Sequence, residues 1–364
     1  MERDVQRLAI RIAVTGTRGK STVTRLIAAG LRESGFTVLA KTTGSKAALV
    51  LPDGREEEIP RRGLPSILEQ KRVLRRAASL GARAMVTEMM SIQPEYLKAE
   101  SRSLLCPQYL VISNVRIDHR EEMGRTKPEI ARSLARAIGP GATVFLPAGE
   151  RCREFDSAVE RSGARLITVE NRAAGSFLEE DRCLAAAVVV HLGVPQAAAR
   201  QGIAAAAEDF GSLKIWSAEL GDPPADWTLV SAFAANEPES SALILGHLRH
   251  KLDLAGRPLI GLLSFRADRG DRTRQWLDAH EQGFFSAFQK VYLVGAHIRA
   301  LRIRRRKSGP PPLVPLAGRT PGTVMTRIVS AEVAGGVLIG LGNIGGIGTR
   351  LIEHWQEIGR PHAS

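Results

Sequence analysis

Ile10-Arg11-Ile12-Ala13-Val14 runs into Thr15-Gly16-Thr17-Arg18-Gly19-Lys20-Ser21-Thr22, and a helical stretch over 23–33 follows at once. Strand, glycine turn, lysine, hydroxyl and helix in that order set glycine-permitted backbone amides and a helix N-terminus around a phosphate. Lys20 then reaches the outer phosphate oxygens, and Ser21 is left to hold magnesium. Gly16, Thr17, Arg18, Gly19, Lys20, Ser21 and Thr22 are therefore the expected phosphate-binding set. The longer pattern with a glycine five residues before Gly19 is not met, because Val14 stands there. Such a loop does not choose between hydrolysis, phosphoryl transfer and ligation.

Outward from the loop, short β-branched runs at 9–14, 37–40, 83–87, 109–113, 143–146 and 165–169 alternate with helical patterns, as in a parallel sheet covered by helices. Pro52-Asp53-Gly54 reads as a hairpin turn inserted in that alternation, and 181–191 and 196–207 read as paired helices broken at Gly193-Val194-Pro195. Around 210–224 the pattern lapses into Gly, Pro and Asp, and a second alternation starts with 227–231, 258–263, 290–294 and 337–341. Two domains are expected, 1–212 binding the nucleotide and 213–364 a smaller nucleotide-fold domain.

With 364 residues, 44% of them hydrophobic, the chain is long enough to bury two such cores. Three scattered cysteines, Cys106, Cys152 and Cys183, make neither a disulfide framework nor a zinc site, and a reducing compartment is expected. The net charge of +13 favours polyanions at long range. Its densest run, Arg302-Ile303-Arg304-Arg305-Arg306-Lys307, reads as a solvated loop, with docking to acidic lipid, nucleic acid or an acidic polymer as alternatives. Only nine residues precede the first strand, so no secretory leader is expected, and the apolar stretches are too short or too glycine-rich to span a bilayer.

The loop form G-T-R-G-K-S-T resembles the ATP loop of the Mur ligase and folylpolyglutamate synthetase superfamily. Further motifs resemble one branch of it: Lys41-Thr42-Thr43-Gly44, Glu69-Gln70, Glu88-Met89-Met90, Asn114-Val115-Arg116-Ile117-Asp118-His119, Met123-Gly124, 233–240, 266–273 and Gly342-Asn343-Ile344. That branch is the ligase subunit of poly-γ-glutamate synthase, the PgsB or CapB family. The resemblance implies a two-domain α/β ligase, a Mur-type ATPase domain followed by a smaller Rossmann-like domain. It implies an activity that spends ATP with magnesium, activates a glutamate carboxylate as an acyl phosphate and forms γ-glutamyl amides.

Carried onto these positions, the family pattern makes Glu88 and His119 magnesium ligands beside Ser21, and puts Asn114 at the nucleotide. Glu88 alone reads as a strand-end carboxylate able to reach a metal at the neighbouring phosphate loop, or as a simple cap. Lys214 stands where relatives place an arginine that touches the γ-phosphate, with surface solvation as its alternative. Asn236, Arg266, Asp268 and Arg269 match the family's C-terminal motifs, and the arginines suit carboxylate or phosphate or a salt-bridge network. Two departures are visible. No lysine lies in 130–138 to supply a bridging carbamate, Lys127 being nearest, which leaves completion of the second metal open; and there is no room for a UDP-precursor domain ahead of the loop, nor a membrane anchor.

The expected partners are glutamate, a growing poly-γ-glutamate chain and a small integral membrane subunit that holds the protein at the cytoplasmic face. No nucleic acid is expected, and self-association is left open. The competing readings are another amino-acid ligase of the superfamily and a P-loop ATPase of a membrane export complex.

Overall fold

The computed structural model describes residues 8–44, 47–61, 65–170, 177–206, 213–252, 254, 256–296, 298, 311–318 and 320–362. The basic run Arg302 to Lys307 lies outside them, as do residues 207–212, where the lapse between the two alternations begins. The chain divides into two compact units, Met1–Asp209 and Phe210–Ser364.

In the first unit the elements are β1 (Ile10–Thr15), α1 (Lys20–Glu33), β2 (Val38–Thr42), β3 (Ala48–Val50), β4 (Glu56–Glu58), α2 (Glu69–Ser79), β5 (Ala84–Glu88), α3 (Pro94–Ala99), β6 (Tyr109–Ile112), α4 (Lys127–Leu134), β7 (Thr143–Pro147), α5 (Arg153–Ser162), β8 (Arg165–Val169), α6 (Phe177–His191) and α7 (Gln196–Ala204). The sheet order is β4-β3-β2-β5-β1-β6-β7-β8, with β2 and β5 through β8 parallel to β1 and the β3–β4 hairpin antiparallel at one edge. Strand alternation divides the core. Ile12 and Val14 face α1, α6 and α7, where they meet Val23, Ile27, Leu184, Val188 and Ile203. Ala13, Leu39, Met85 and Leu110 face the opposite layer, with Leu74, Leu97, Ile130, Leu134 and Phe155. A sheet covered on both faces needs apolar residues at nearly every strand position, which is why these strands read as continuous hydrophobic runs.

β1 sits between β5 and β6, while the connection through α1 leads away to β2 beyond β5. The loops leaving β1, β5 and β6 therefore diverge at one crevice beyond the strands' C-terminal ends, the usual ligand position in an open parallel sheet.

The second unit contains β9 (Lys214–Leu220), β10 (Ala225–Ser231), α8 (Pro238–Lys251), β11 (Leu259–Phe265), α9 (Gly270–Glu281), β12 (Lys290–Gly295), β13 (Leu313–Pro315), α10 (Pro321–Ala331), β14 (Gly336–Gly342), α11 (Ile347–Ile358) and the short β15 (Arg360–Pro361). Its sheet runs β13-β12-β11-β14-β10-β9-β15, parallel from β13 to β10 and antiparallel at β9 and β15. Where the sequence pattern lapses, the structure has the strand β9. Ser217 and Glu219 alternate with inward Trp216 and Ala218 on this antiparallel strand, so the run lacks the unbroken apolar character of its parallel neighbours. A second unforeseen feature is a π-helical turn, Glu100–Leu105, that continues α3.

Candidate active site

The turn between β1 and α1 is built on two left-handed glycines, Gly16 at φ 127° and Gly19 at φ 74°. A Cβ on Gly16 would stand 2.2 Å from Ser113 Oγ, so only a hydrogen there lets the loop lie against the residues after β6. That contact is tied by hydrogen bonds. Thr17 Oγ1 donates to Asn114 Oδ1 at 2.7 Å, Arg18 N to the same oxygen at 3.0 Å, and Asn114 Nδ2 to Arg18 O at 3.1 Å. Arg116 N in turn donates to Thr17 Oγ1 at 2.8 Å. Asn114, buried, thus braces the loop from β6.

Lys20 opens α1, and its Nζ curls back over the turn to Gly16 O at 2.9 Å and Thr17 O at 3.3 Å. Burial pushes its pKa down, opposed chiefly by the charge of Glu88. One residue on, Ser21 Oγ donates to Glu88 Oε2 at 2.7 Å, and Thr43 N donates to the same oxygen at 2.6 Å. Glu88 is the last residue of β5 and is buried, in register with Val14 of β1. A serine hydroxyl and a carboxylate oxygen converge beside a glycine loop lined with amide donors. Hard oxygen donors of this kind suit a small divalent cation that takes its remaining ligands from phosphate and water.

His119 follows β6 in a left-handed conformation, φ 48°, with its backbone N donating to Asp118 Oδ1 at 2.6 Å and its Nε2 standing 3.7 Å from Asp118 Oδ2. Buried Asp118 also pairs with Arg18 Nη2 at 3.0 Å, so a chain from Arg18 through Asp118 to His119 joins the phosphate turn to the β6 loop. Strain at a non-glycine residue persists only where its surroundings over-determine it.

Gly16 through Thr22, Glu88, Asn114 and His119 all lie in the first unit, at the C-terminal ends of β1, β5 and β6 and the first turn of α1; Lys214, Asn236, Arg266, Asp268 and Arg269 lie in the second. Lys214 begins β9 opposite Ser231. Asn236 O accepts from Trp276 Nε1 at 3.3 Å, and Glu237 beside it caps α8 through Ser240. Arg266 forms a forked pair with Asp268, Nε to Oδ1 at 3.0 Å and Nη2 to Oδ2 at 2.7 Å, and Arg269 precedes α9 as its N-cap. Arg266, Asp268, Gly295, Gly346 and Arg350 line a cavity of about 540 Å³ at the C-terminal ends of β11, β12 and β14. The turn 342–346 leads from β14 into the N-terminus of α11 at this cavity. Arg350 and the helix N-terminus favour an anion in this concavity, while Arg266 is paired there with Asp268.

Several residues near these sites had no role in the sequence reading: Thr43, Asp118, Arg350, the Gln70 and Glu100 pair, and Asp181. Thr43, Gln70 and Asp118 lie inside quoted motifs, so their neighbours were the available signal. Asp181 had none. It lies on α6, and its carboxylate stands so close over Gly19 that a Cβ there would be 2.7 Å from Oδ2. Burial, then the neighbouring charge of Glu180, pushes its pKa well above the usual carboxylate range.

Residues 14–182 match the family described as the Mur ligase middle domain, and 218–358 match the poly-gamma-glutamate synthase CapB C-terminal domain. The capsule biosynthesis protein CapB of Bacillus anthracis is 30% identical over 371 aligned residues, spanning 98% of this chain and 79% of that protein. The chain belongs to the CapB family. PGA synthase CapB of Bacillus subtilis (strain 168) is 29% identical, spanning 98% of this chain and 92% of that protein. Among solved structures, Escherichia coli FolC in complex with ADP superposes with TM-score 0.69 at 15% identity, covering 98% of this chain and 90% of that one. The folylpolyglutamate synthase of Mycobacterium tuberculosis, solved with ADP and AMPPCP, gives TM-score 0.67 at 16% identity, covering 98% and 93%. At such identity these structures speak for the fold, which is the two-domain Mur-ligase architecture expected from the motifs. CapB proteins and Mur ligases are ATP-dependent amide-bond-forming enzymes, and the chain is an enzyme of that class.

Proposed function

We propose that this CapB protein lengthens a poly-γ-glutamate chain by activating a glutamate side-chain carboxylate with ATP and joining it to the amine of another glutamate. The observation that carries the reading is the convergence of Ser21 and Glu88, 2.7 Å apart, on the turn held by Gly16, Gly19 and Asn114. The first domain, 1–212, takes ATP, and the second, 213–364, takes part in ligation.

Backbone amides of residues 16–22 cradle the phosphates, and Lys20 spreads the charge that develops on the transferring phosphoryl group. Ser21, Glu88 and His119 are the residues to hold magnesium, which neutralises phosphate oxygens when bound. The carboxylate oxygen of glutamate takes the γ-phosphoryl group and ADP leaves. The incoming amine attacks the acyl carbon, phosphate departs with the bonding electrons, and the nitrogen releases a proton to complete the amide. Lys214 serves the phosphoryl group as a point charge; Asn236, Asp268 and Arg269 serve the nucleotide. Arg266, on the cavity shared with Arg350, suits the carboxylates of a polyanionic substrate.

No helix of the described residues is long and apolar enough to cross a membrane. A polymer destined for export is best made at the bilayer, so the reading includes recruitment to the cytoplasmic face by a small integral membrane subunit. The test is incubation with ATP, magnesium and L- or D-glutamate, with and without membranes carrying a candidate subunit, followed by mass analysis. Oligomers gaining one glutamyl unit per phosphate released are expected. ATP consumption in every condition without any amide product would overturn the reading.

A further inference from the structure

The sheet's ladder ends just beyond Glu88. Met89 N still donates to Val14 O at 2.9 Å, but Met90 N and Ser91 N have left the strand. Both turn to a single fully buried carboxylate, Glu100. Its Oε1 accepts Met90 N at 3.1 Å, and its Oε2 accepts Ser91 N at 2.9 Å and Ser91 Oγ at 2.5 Å. Glu100 stands at the start of the π turn after α3. Such wide turns are frequent at functional sites. From the other side comes Gln70 of α2, also fully buried, whose Nε2 lies 2.6 Å from Glu100 Oε1 and 3.4 Å from the backbone oxygen of Glu88 itself.

We propose that Gln70 and Glu100 are positioning residues that fix the backbone of 88–91 and thereby hold the Glu88 carboxylate in its cation-binding pose. The inference rests on Glu88 being a magnesium ligand, as proposed above. A staple serving stability alone needs only to hold the loop. Here it grips both the peptide that carries Glu88 and the two amides after it, while Glu88 Oε2 must stay within hydrogen-bond reach of Ser21 Oγ and Thr43 N together. A small rotation at residue 88 would break that convergence without unfolding anything. Groups that orient a metal ligand from behind typically set metal affinity by about 10- to 100-fold.

Magnesium titration of a non-hydrolysable ATP analogue, followed by calorimetry, reads this directly, with kcat at saturating magnesium measured alongside. Gln70→Ala is expected to raise the magnesium midpoint about 10- to 100-fold while kcat at saturation changes much less. Glu88→Gln should raise the midpoint as well, and Gln70→Ala/Glu88→Gln should raise it no further than Glu88→Gln alone, because Gln70 acts through that carboxylate. Glu100→Gln, which turns an amide donor toward Met90 N or Ser91 N, should behave like Gln70→Ala; if it does not fold, Gln70→Ala, which removes no charge, decides. A folded Gln70→Ala protein with the wild-type midpoint, or additive shifts in the double variant, overturns the positioning role while leaving Glu88 a ligand. An unchanged midpoint in Glu88→Gln removes the magnesium assignment, and the positioning role falls with it.

Discussion

Glu69→Gln and Lys41→Met break the same ion pair, Lys41 Nζ to Glu69 Oε1 at 2.9 Å, and are expected to cost unequal amounts. Lys41 is wholly buried on β2, with Met90 Sδ 3.7 Å from its amine, whereas Glu69 keeps 11% of its side chain exposed and has a second cation, Arg61, at 2.9 Å and 3.0 Å. The two partners titrate differently for that reason. Burial pushes the Lys41 pKa down despite Glu69, while burial of Glu69 is outweighed by its bonds from Arg61 and Lys41, which hold its carboxyl at about 2. Burial cost thus falls mainly on the lysine. Removing Glu69 strands that lysine, at about 3–5 kcal/mol for an uncompensated buried charge. Removing Lys41 leaves Glu69 paired with Arg61 and takes a buried charge away, at about 1–2 kcal/mol. Lys41→Met/Glu69→Gln should therefore be more stable than Glu69→Gln alone. Urea unfolding at neutral pH measures this by far-UV circular dichroism; the four tryptophans, Trp216, Trp227, Trp276 and Trp355, all lie in the second unit and report that unit separately by fluorescence. The Glu69→Gln deficit should shrink as pH rises through the lowered lysine pKa, because a neutral amine costs less to bury. Equal losses in the two single variants, or a double variant less stable than Glu69→Gln, would refute the reasoning.

Lys20→Ala should keep the fold and lose about 100- to 1,000-fold in ATP turnover, the usual cost of removing one transition-state charge contact; phosphate release by a variant with the wild-type melting curve checks it, and near-normal turnover would sink the phosphate-loop assignment. Gly19→Ala places a methyl group in a left-handed conformation and 2.7 Å from Asp181 Oδ2, so it should destabilise by at least about 1 kcal/mol and weaken nucleotide binding, read by thermal unfolding and by ADP titration. For acid stability, a Glu69 carboxyl held at about 2 against an ordinary 4.5 contributes stability that is complete above pH 4.5 and is lost as pH falls toward 2. That window is worth at most about 3 kcal/mol, so the gap between wild type and Glu69→Gln in urea should narrow between pH 5 and pH 3, and a constant gap would contradict it.

The phosphate turn was legible because its chemistry is contiguous. Strand, two left-handed glycines, lysine, serine and helix follow one another within 10–33, and each is demanded by local backbone geometry. The parallel sheets were legible too, since strands buried on both faces must be apolar throughout, and the antiparallel β9 escaped notice for the converse reason. The resemblance named Glu88, Asn114 and His119 for that turn, but only the tertiary structure decided which atoms of distant residues meet there. Ser21 and Glu88 are 67 positions apart and Thr17 and Asn114 are 97, yet both pairs are hydrogen-bonded because β5 and β6 flank β1 in the sheet, while Gln70 and Glu100, 30 apart, meet where α2 packs against the π turn. Asp181 shows the same limit: on α6 it is one charged residue in a helix, and only the packing of α6 against α1 brings it over Gly19. Strand order and helix docking are set by summed burial over the whole unit, a quantity that no single stretch of sequence carries.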